Sequence, residues 1–252
     1  MNRLFLTAIA ALTLSLSAFA KENLNIVFVG NSISYGAELK DRDTECPPVK
    51  VEEYIEANSS YDVNISNCGV CGATTVDFLP ANETLFVNVA NAANEFAKQK
   101  GQLVFTISLG TNDSACSGPL GSPVVPTQYY TNLKVIIDEL LTSYPKSIVV
   151  LQYPLWYSPN TYNGAMYLNA GLQRLESYFP YITKLIDAYG KTHPNRVFPG
   201  NPNAFNTFKE HGLEYLTPEN GNAGTFYLHP NKQGAEVLGK IWAETILKAL
   251  KK

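Results

Sequence analysis

The sequence predicts an α/β fold, a mainly parallel sheet covered by helices on both faces. Short apolar runs alternate with longer stretches of helical periodicity along most of the chain, the pattern that builds βα units and parallel sheets. The runs are nearly continuous in Val, Ile, Leu and Phe, as strands buried on both faces tend to be. The 252 residues suffice for one such domain with a sizeable core, and no linker, repeat or low-complexity block divides them.

The first twenty residues stand apart. Arg3 gives a positive start, Leu4 to Leu16 is an apolar run, and Ala18-Phe19-Ala20 has the small-x-small form of a cleavage site. Residues 1–20 therefore read as a signal peptide and 21–252 as one domain, secreted or periplasmic. The run is short for a membrane span, and no cysteine follows the cleavage site to carry a lipid. The mature chain offers strand candidates at 24–30, 62–67, 103–109, 147–153 and, more weakly, 196–198. Helix candidates fall at 48–57, 83–100, 128–143, 165–191 and 232–250. The last is the clearest: Ala235, Leu238, Ile241, Trp242, Thr245, Ile246 and Ala249 form one stripe at helical period. Residues 114–127, 153–162 and 201–228 are rich in Gly, Pro, Ser and Asn and read as loops. Long loops at the carboxyl edge of a parallel sheet usually shape a substrate site.

Composition narrows the function. A formal net charge of −3 leaves no basic footprint for nucleic acid or an anionic membrane, so neither nucleic-acid binding nor stable membrane insertion is expected. Cys68 and Cys71 have the spacing of half a zinc site. Only three histidines exist, none beside a cysteine, so no metal and no cofactor is expected. An even number of cysteines in an exported chain favours disulfides, and Cys46, Cys68, Cys71 and Cys116 allow three pairings.

The residues that carry chemistry sit at strand and helix edges. Ser32 follows the first apolar strand through Gly30-Asn31, which exposes a hydroxyl at the carboxyl end of a sheet. Serine is a poor nucleophile until a base takes its proton, and His229, held between Leu228 and Pro230 just before the last helix, is the candidate base. His193 and His211 lie in polar surroundings and read as solvated. Asn112 follows the third apolar strand in Gly110-Thr111-Asn112-Asp113. Gly72 lies in Gly69-Val70-Cys71-Gly72-Ala73-Thr74-Thr75. A side-chain amide and an unobstructed main-chain N–H could serve as donors to a developing oxyanion. Taken singly, each residue also has a plainer reading as a turn or a helix cap.

Order and spacing join them. Gly30-Asn31-Ser32-Ile33-Ser34 resembles the first block of the SGNH (GDSL-like) hydrolase family, with Asn31 where aspartate is most frequent. Residues 67–75 resemble the second block, 110–113 the third, and Leu228-His229-Pro230-Asn231 with Gly234 the fifth. The resemblance covers nearly the whole mature chain. It implies a three-layer α/β/α sandwich of roughly five mainly parallel strands, flavodoxin-like in architecture. It also implies a serine esterase with Ser32 as nucleophile, His229 as base, and Gly72 and Asn112 as oxyanion donors. The family usually places an aspartate three residues before the histidine, where this chain has Phe226, and no aspartate occurs after Asp187. The expectation is a Ser32–His229 dyad oriented by a main-chain carbonyl near Phe226. Glu219 folded back, or no partner at all, are the alternatives.

If Gly72 and Asn112 face one hole, Cys71 and Cys116 lie close together. The expected pairing is therefore Cys71–Cys116, with Cys46–Cys68 as the second bridge. The expected substrate is a short acyl ester, acetyl above all, on carbohydrate. Trp156 and Tyr157, with Tyr162, Tyr129 and Tyr130 nearby, are candidate aromatics for stacking on sugar rings. No long apolar lid segment favours a long-chain lipase. A lysophospholipase or general short-chain esterase, or an inactive carbohydrate-binding relative, are the competing readings.

Overall fold

The structure, a computed structural model, describes residues 21–251; the expected signal peptide lies outside them. The elements in chain order are β1 (Glu22–Gly30), α1 (Ser32–Tyr35), α2 (Arg42–Glu45), α3 (Pro47–Asn58), β2 (Tyr61–Asn67), α4 (Leu85–Ala97), β3 (Gln102–Ser108), α5 (Pro126–Ser143), β4 (Ile148–Leu151), α6 (Leu168–Ser177), α7 (Phe179–Thr192), β5 (Val197–Pro199), α8 (Ala204–Glu210), α9 (Gly212–Tyr215), β6 (Leu216–Gly221), β7 (Gly224–Pro230) and α10 (Lys232–Leu250). The first five strands form one sheet in the order β2-β1-β3-β4-β5, every neighbouring pair parallel. This is the doubly wound order in which the winding direction reverses between β1 and β3.

Strand periodicity sorts the core into two layers. Val27 and Val29 of β1, with Phe105 and Ile107 of β3, face Val89 of α4, Leu133 and Ile136 of α5 and Leu185 of α7. Leu24, Ile26 and Phe28 of β1 point the other way, into Val51 and Ile55 of α3 and Leu238, Trp242 and Ile246 of α10. Both faces of β1 are thus sealed, and its residues 24–30 are all buried. At about 25 cal/mol per Å² of apolar surface removed from water, these two layers are the main stabilising contribution to the fold.

Two expectations about elements are corrected. The single helix expected at 165–191 is two, α6 and α7, broken at Tyr178. Pro180 lies in the first turn of α7, where its missing N–H is tolerated. In the middle of a continuous helix its ring would clash with the carbonyl four residues back. The segment read as a polar loop over 201–228 instead contains α8, α9 and most of the antiparallel hairpin β6–β7. The hairpin lies outside the main sheet. Its inward residues Leu216, Phe226 and Leu228 are buried, while several others are exposed or half-buried. Among the described residues no helix is long and apolar enough to cross a membrane.

Candidate active site

The carboxyl ends of β1, β2 and β3 deliver three of the expected residues to one edge of the sheet. After β1, Gly30 leaves no room for a side chain: a Cβ there would come within 2.1 Å of the Ser34 Oγ. Asn31 caps α1, its Oδ1 accepting from the Ile33 N–H at 3.0 Å. An amide oxygen serves here as well as the aspartate more usual at this position, because both are short acceptors. Ser32 is the first residue of α1, half-buried. Its N–H lies in a first helical turn, where the helix supplies no acceptor.

The candidate base comes from the C-terminal part of the sequence. His229 Nε2 is 2.9 Å from Ser32 Oγ, and His229 Nδ1 is 2.9 Å from Glu219 Oε1. The same carboxylate oxygen accepts from the His229 main-chain N–H at 3.2 Å. The side chains of His229 and Glu219 are only 8% and 11% exposed, so the contact is largely shielded from water. An ionised carboxylate can only accept, so Nδ1 carries the proton and the Nε2 lone pair faces the serine hydroxyl. A base so oriented can take the serine proton.

The expectation of a main-chain carbonyl near Phe226 is therefore overturned in favour of Glu219. The reason is the hairpin. Glu219 on β6 stands opposite Phe226 on β7 in register, and facing residues of an antiparallel pair project from the same side. The carboxylate reaches the histidine from the neighbouring strand, while Phe226 itself is buried in the core. The reversal at Asn222-Ala223 is closed by Gly224 at φ +89°, a left-handed conformation that favours glycine. Asn160 clasps the turn, its Nδ2 donating to the carbonyls of Ala223 (3.2 Å) and Thr225 (2.7 Å). On the far side Asn231 caps α10, accepting from the Gly234 N–H at 2.9 Å.

The two expected oxyanion donors lie on loops that are bonded to each other. Gly72 is exposed at φ +79°, with nothing within 4 Å of where a Cβ would stand. Asn112, almost fully buried, donates from Nδ2 to the Ala73 carbonyl at 2.8 Å. Its Oδ1 accepts from the Tyr167 hydroxyl at 2.6 Å. The next residue, Asp113, repeats the tie: its Oδ1 accepts from the Thr75 N–H at 3.0 Å and from the Thr75 hydroxyl. Asp113 Oδ2 is buried without a partner. Burial pushes this carboxyl up to about 6, against the opposing pull of the Thr75 hydrogen bonds.

Several expected site residues lie elsewhere. The four cysteines are free, so the expected Cys71–Cys116 and Cys46–Cys68 bridges are not formed. Cys116 Sγ lies 3.2 Å from the Tyr167 carbonyl and Cys46 Sγ 3.8 Å from Asn67 Nδ2; polar neighbours occupy these sulfurs. Tyr157 is fully buried, its hydroxyl 2.9 Å from Ser114 Oγ, so it packs the core and cannot stack on a sugar. Trp156 is half-buried with its ring against Gly212, where a Cβ would meet it at 2.6 Å. Tyr129 is likewise buried, stacked on Tyr178 with centroids 4.1 Å apart. His193 and His211 are exposed, as expected.

One carboxylate joins the site that sequence reasoning missed. Glu38, Glu219 and His229 each place one donor atom within 4.8 Å of the others. Both ring nitrogens of His229 are already engaged by Ser32 and Glu219, so the geometry is that of a proton relay with a carboxylate on its rim. Glu38 takes the left-handed conformation at φ +66°, uncommon for this residue type.

The family model for the GDSL-like lipase/acylhydrolase family matches residues 28–237. The chain belongs to that family. No curated protein matches it. Among solved structures, a two-domain esterase active on acetylated mannans superposes with a TM-score of 0.58 at 18% identity, covering 92% of this chain and 51% of its own. This chain thus spans about half the length of that esterase. The carbohydrate acetylesterase Est24 from Sinorhizobium meliloti gives 0.57 at 15% identity, covering 89% of this chain and 98% of its own. A lipase/acylhydrolase from Enterococcus faecalis gives 0.54 at 20% identity, covering 88% and 94%. At these identities the likeness concerns the fold, the three-layer α/β arrangement around a five-stranded parallel sheet.

Proposed function

We propose that the protein is an exported serine esterase that removes short acyl groups, acetyl above all, from carbohydrate through an acyl-Ser32 intermediate. The observation that carries this reading is the unbroken chain Ser32 Oγ–His229–Glu219, with both contacts at 2.9 Å. Ser32 Oγ attacks the ester carbonyl as His229 Nε2 takes its proton. Glu219 stabilises the imidazolium that forms and fixes its tautomer. The carbonyl oxygen, now anionic, accepts from the Ser32 N–H, the Gly72 N–H and the Asn112 Nδ2–H. Collapse expels the sugar alkoxide, which takes the proton back from His229. Water, deprotonated by the same imidazole, then attacks the acyl carbon; the Ser32 Oγ–C bond breaks, Oγ takes the proton back from His229, and the acid leaves.

The filled acid position speaks against an inactive relative, because the residue whose loss would have permitted inactivity is replaced by Glu219. The carbohydrate assignment draws on the likeness to esterases active on acetylated mannans and other carbohydrates. Export and a mature domain starting near Lys21 rest on the pattern of the first twenty residues. Acetate release from a panel of acetylated glycans tests the substrate class, and comparison of p-nitrophenyl acetate with the octanoate separates a deacetylase from a lipase. Efficient octanoate cleavage with no acetate released from any glycan would overturn the carbohydrate assignment. N-terminal sequencing of secreted protein should begin at Lys21.

A further inference from the structure

We infer that Tyr167 is a positioning residue for the reaction, setting the orientation and donor strength of the Asn112 amide in the oxyanion hole; the inference rests on the esterase reading above. An asparagine amide presents an acceptor on one side and two donors on the other, and its role depends on which way it faces. Here two partners decide. The Ala73 carbonyl can only accept, so it holds the Nδ2 side at 2.8 Å. The Tyr167 hydroxyl donates to Oδ1 at 2.6 Å. Turned over, the amide would set Oδ1 against the Ala73 carbonyl, acceptor against acceptor. With one Nδ2–H spent on Ala73, one is left for the substrate oxyanion. Donation into Oδ1 polarises the amide and makes that remaining N–H a stronger donor, the usual cooperativity of linked hydrogen bonds.

The phenol is built to stay a donor. Tyr167 is 3% exposed. Burial, with the Glu219 charge adding to it, holds its pKa well above the ordinary tyrosine value. Its ring packs edge-on against Tyr157, with centroids 5.3 Å apart. The backbone beside it is tied to the segment just past Asn112: the N–H groups of Cys116 and Ser117 donate to the Met166 carbonyl at 2.6 and 3.3 Å, and the Met166 N–H returns to Ser117 at 3.0 Å. Leu168, the next residue, is held at φ +54°, a strained conformation for a bulky side chain that persists only where its surroundings impose it. The N–H groups of both Tyr167 and Leu168 converge on the Thr161 carbonyl, at 3.2 and 3.1 Å.

The test is a double-mutant cycle of Tyr167→Phe with Asn112→Ala, read as kcat and KM on p-nitrophenyl acetate. Loss of an oxyanion donor typically lowers kcat by roughly 10²–10³. Tyr167→Phe, which weakens and loosens that donor, should lower kcat by roughly tenfold or more, short of the Asn112→Ala loss, with KM within about twofold. In the Asn112→Ala background the tyrosine change should alter kcat by less than about twofold, because residues acting through one interaction do not add. Tyr167→Phe alone leaves a buried Oδ1 unpaired. Should it not fold, the double variant, which removes both partners and leaves neither orphaned, is compared with Asn112→Ala alone. A kcat near wild type for Tyr167→Phe, a matching rise in KM, or a further tenfold loss on top of Asn112→Ala would each overturn the inference. Full activity in Asn112→Ala would remove the oxyanion role of Asn112 itself, and the inference with it.

Discussion

The site has two halves, held in place in different ways. The proposed proton relay is assembled from a helix-opening serine and a two-stranded hairpin outside the main sheet, and each member bonds directly to the next. The proposed oxyanion half joins an exposed Gly72 to a largely buried loop network behind it. Asn112, Asp113 and Thr75 are buried, and several hydrogen bonds tie the 72–75 loop to the 112–113 loop. The half-buried Ser32 can be replaced without leaving a buried group stranded. A buried network couples function to stability, because a lost partner leaves a desolvated group behind.

The sharpest way to break the comparison is at the relay. Ser32→Ala should lower kcat on p-nitrophenyl acetate by on the order of 10⁶-fold while the thermal midpoint stays close to wild type. A residual rate above about one per cent would eliminate Ser32 as nucleophile. Glu219→Gln keeps the size of the side chain but removes the charge and permits the wrong histidine tautomer, so a loss of roughly 10³–10⁴-fold is expected. A drop of less than tenfold would return the orienting role to a main-chain carbonyl.

On the other half, Asn112→Ala should lower kcat by roughly 10²–10³ with KM nearly unchanged, and unlike Ser32→Ala it should also lower the thermal midpoint. A rise in KM with kcat intact would make Asn112 a substrate contact. Asp113 sharpens the contrast through pH. Its folded-state carboxyl titrates at about 6 rather than 3.8, so between those values the native state binds more protons than the unfolded one. Stability from this residue is therefore present at low pH and lost as pH rises through the window, by about 3 kcal/mol for a shift of ~2 units. Chemical denaturation at pH 4 and pH 8 should show that loss in the wild type and not in Asp113→Asn; equal pH dependence in the two proteins would refute the assignment. The smallest effect is expected at the cysteines. Mass spectrometry of unreduced, alkylated protein should count four free thiols, and Cys71→Ser should leave kcat within about twofold even though it adjoins Gly72.

The main sheet was legible because its central strands carry nearly unbroken buried apolar runs; the expected 24–30 and 62–67 differ from β1 and β2 only at their first residues, although the edge strand β2 is mostly half-buried. Ser32, His229, Gly72 and Asn112 could be named as candidates because each lies at or near an element edge: just after β1, just before α10, and in the loops after β2 and β3. The hairpin was not. Leu216–Gly221 reads Leu-Thr-Pro-Glu-Asn-Gly, with Pro, Asn and Gly mimicking a loop, and only pairing with β7 makes it a strand. Glu219 was only one alternative to a main-chain carbonyl for the same reason, since its relation to His229 depends on cross-strand register. Tyr167 lay inside a stretch read as helix. The disulfide expectation rested on compartment and even count, and proximity to a common hole does not orient two sulfurs toward each other. The aromatic loop residues were read as exposed from loop composition, yet Tyr157 is sealed beneath the hairpin strand, where the Ser158 N–H donates to the Tyr227 carbonyl at 2.9 Å.

The hairpin also sets the order in which the site can form. Glu219 and His229 are ten residues apart, whereas His229 and Ser32 are separated by 197. Closing the longer loop costs about 2.6 kcal/mol more chain entropy than closing the shorter, on the logarithmic scaling of loop closure. The acid–base pair is therefore a local event that a turn and one cross-strand register bring about. The serine joins only when β1, at the other end of the chain, has entered the sheet. The proposed relay is therefore complete only when both ends of the chain have met, so the esterase activity proposed above would report on the completed fold rather than on the hairpin.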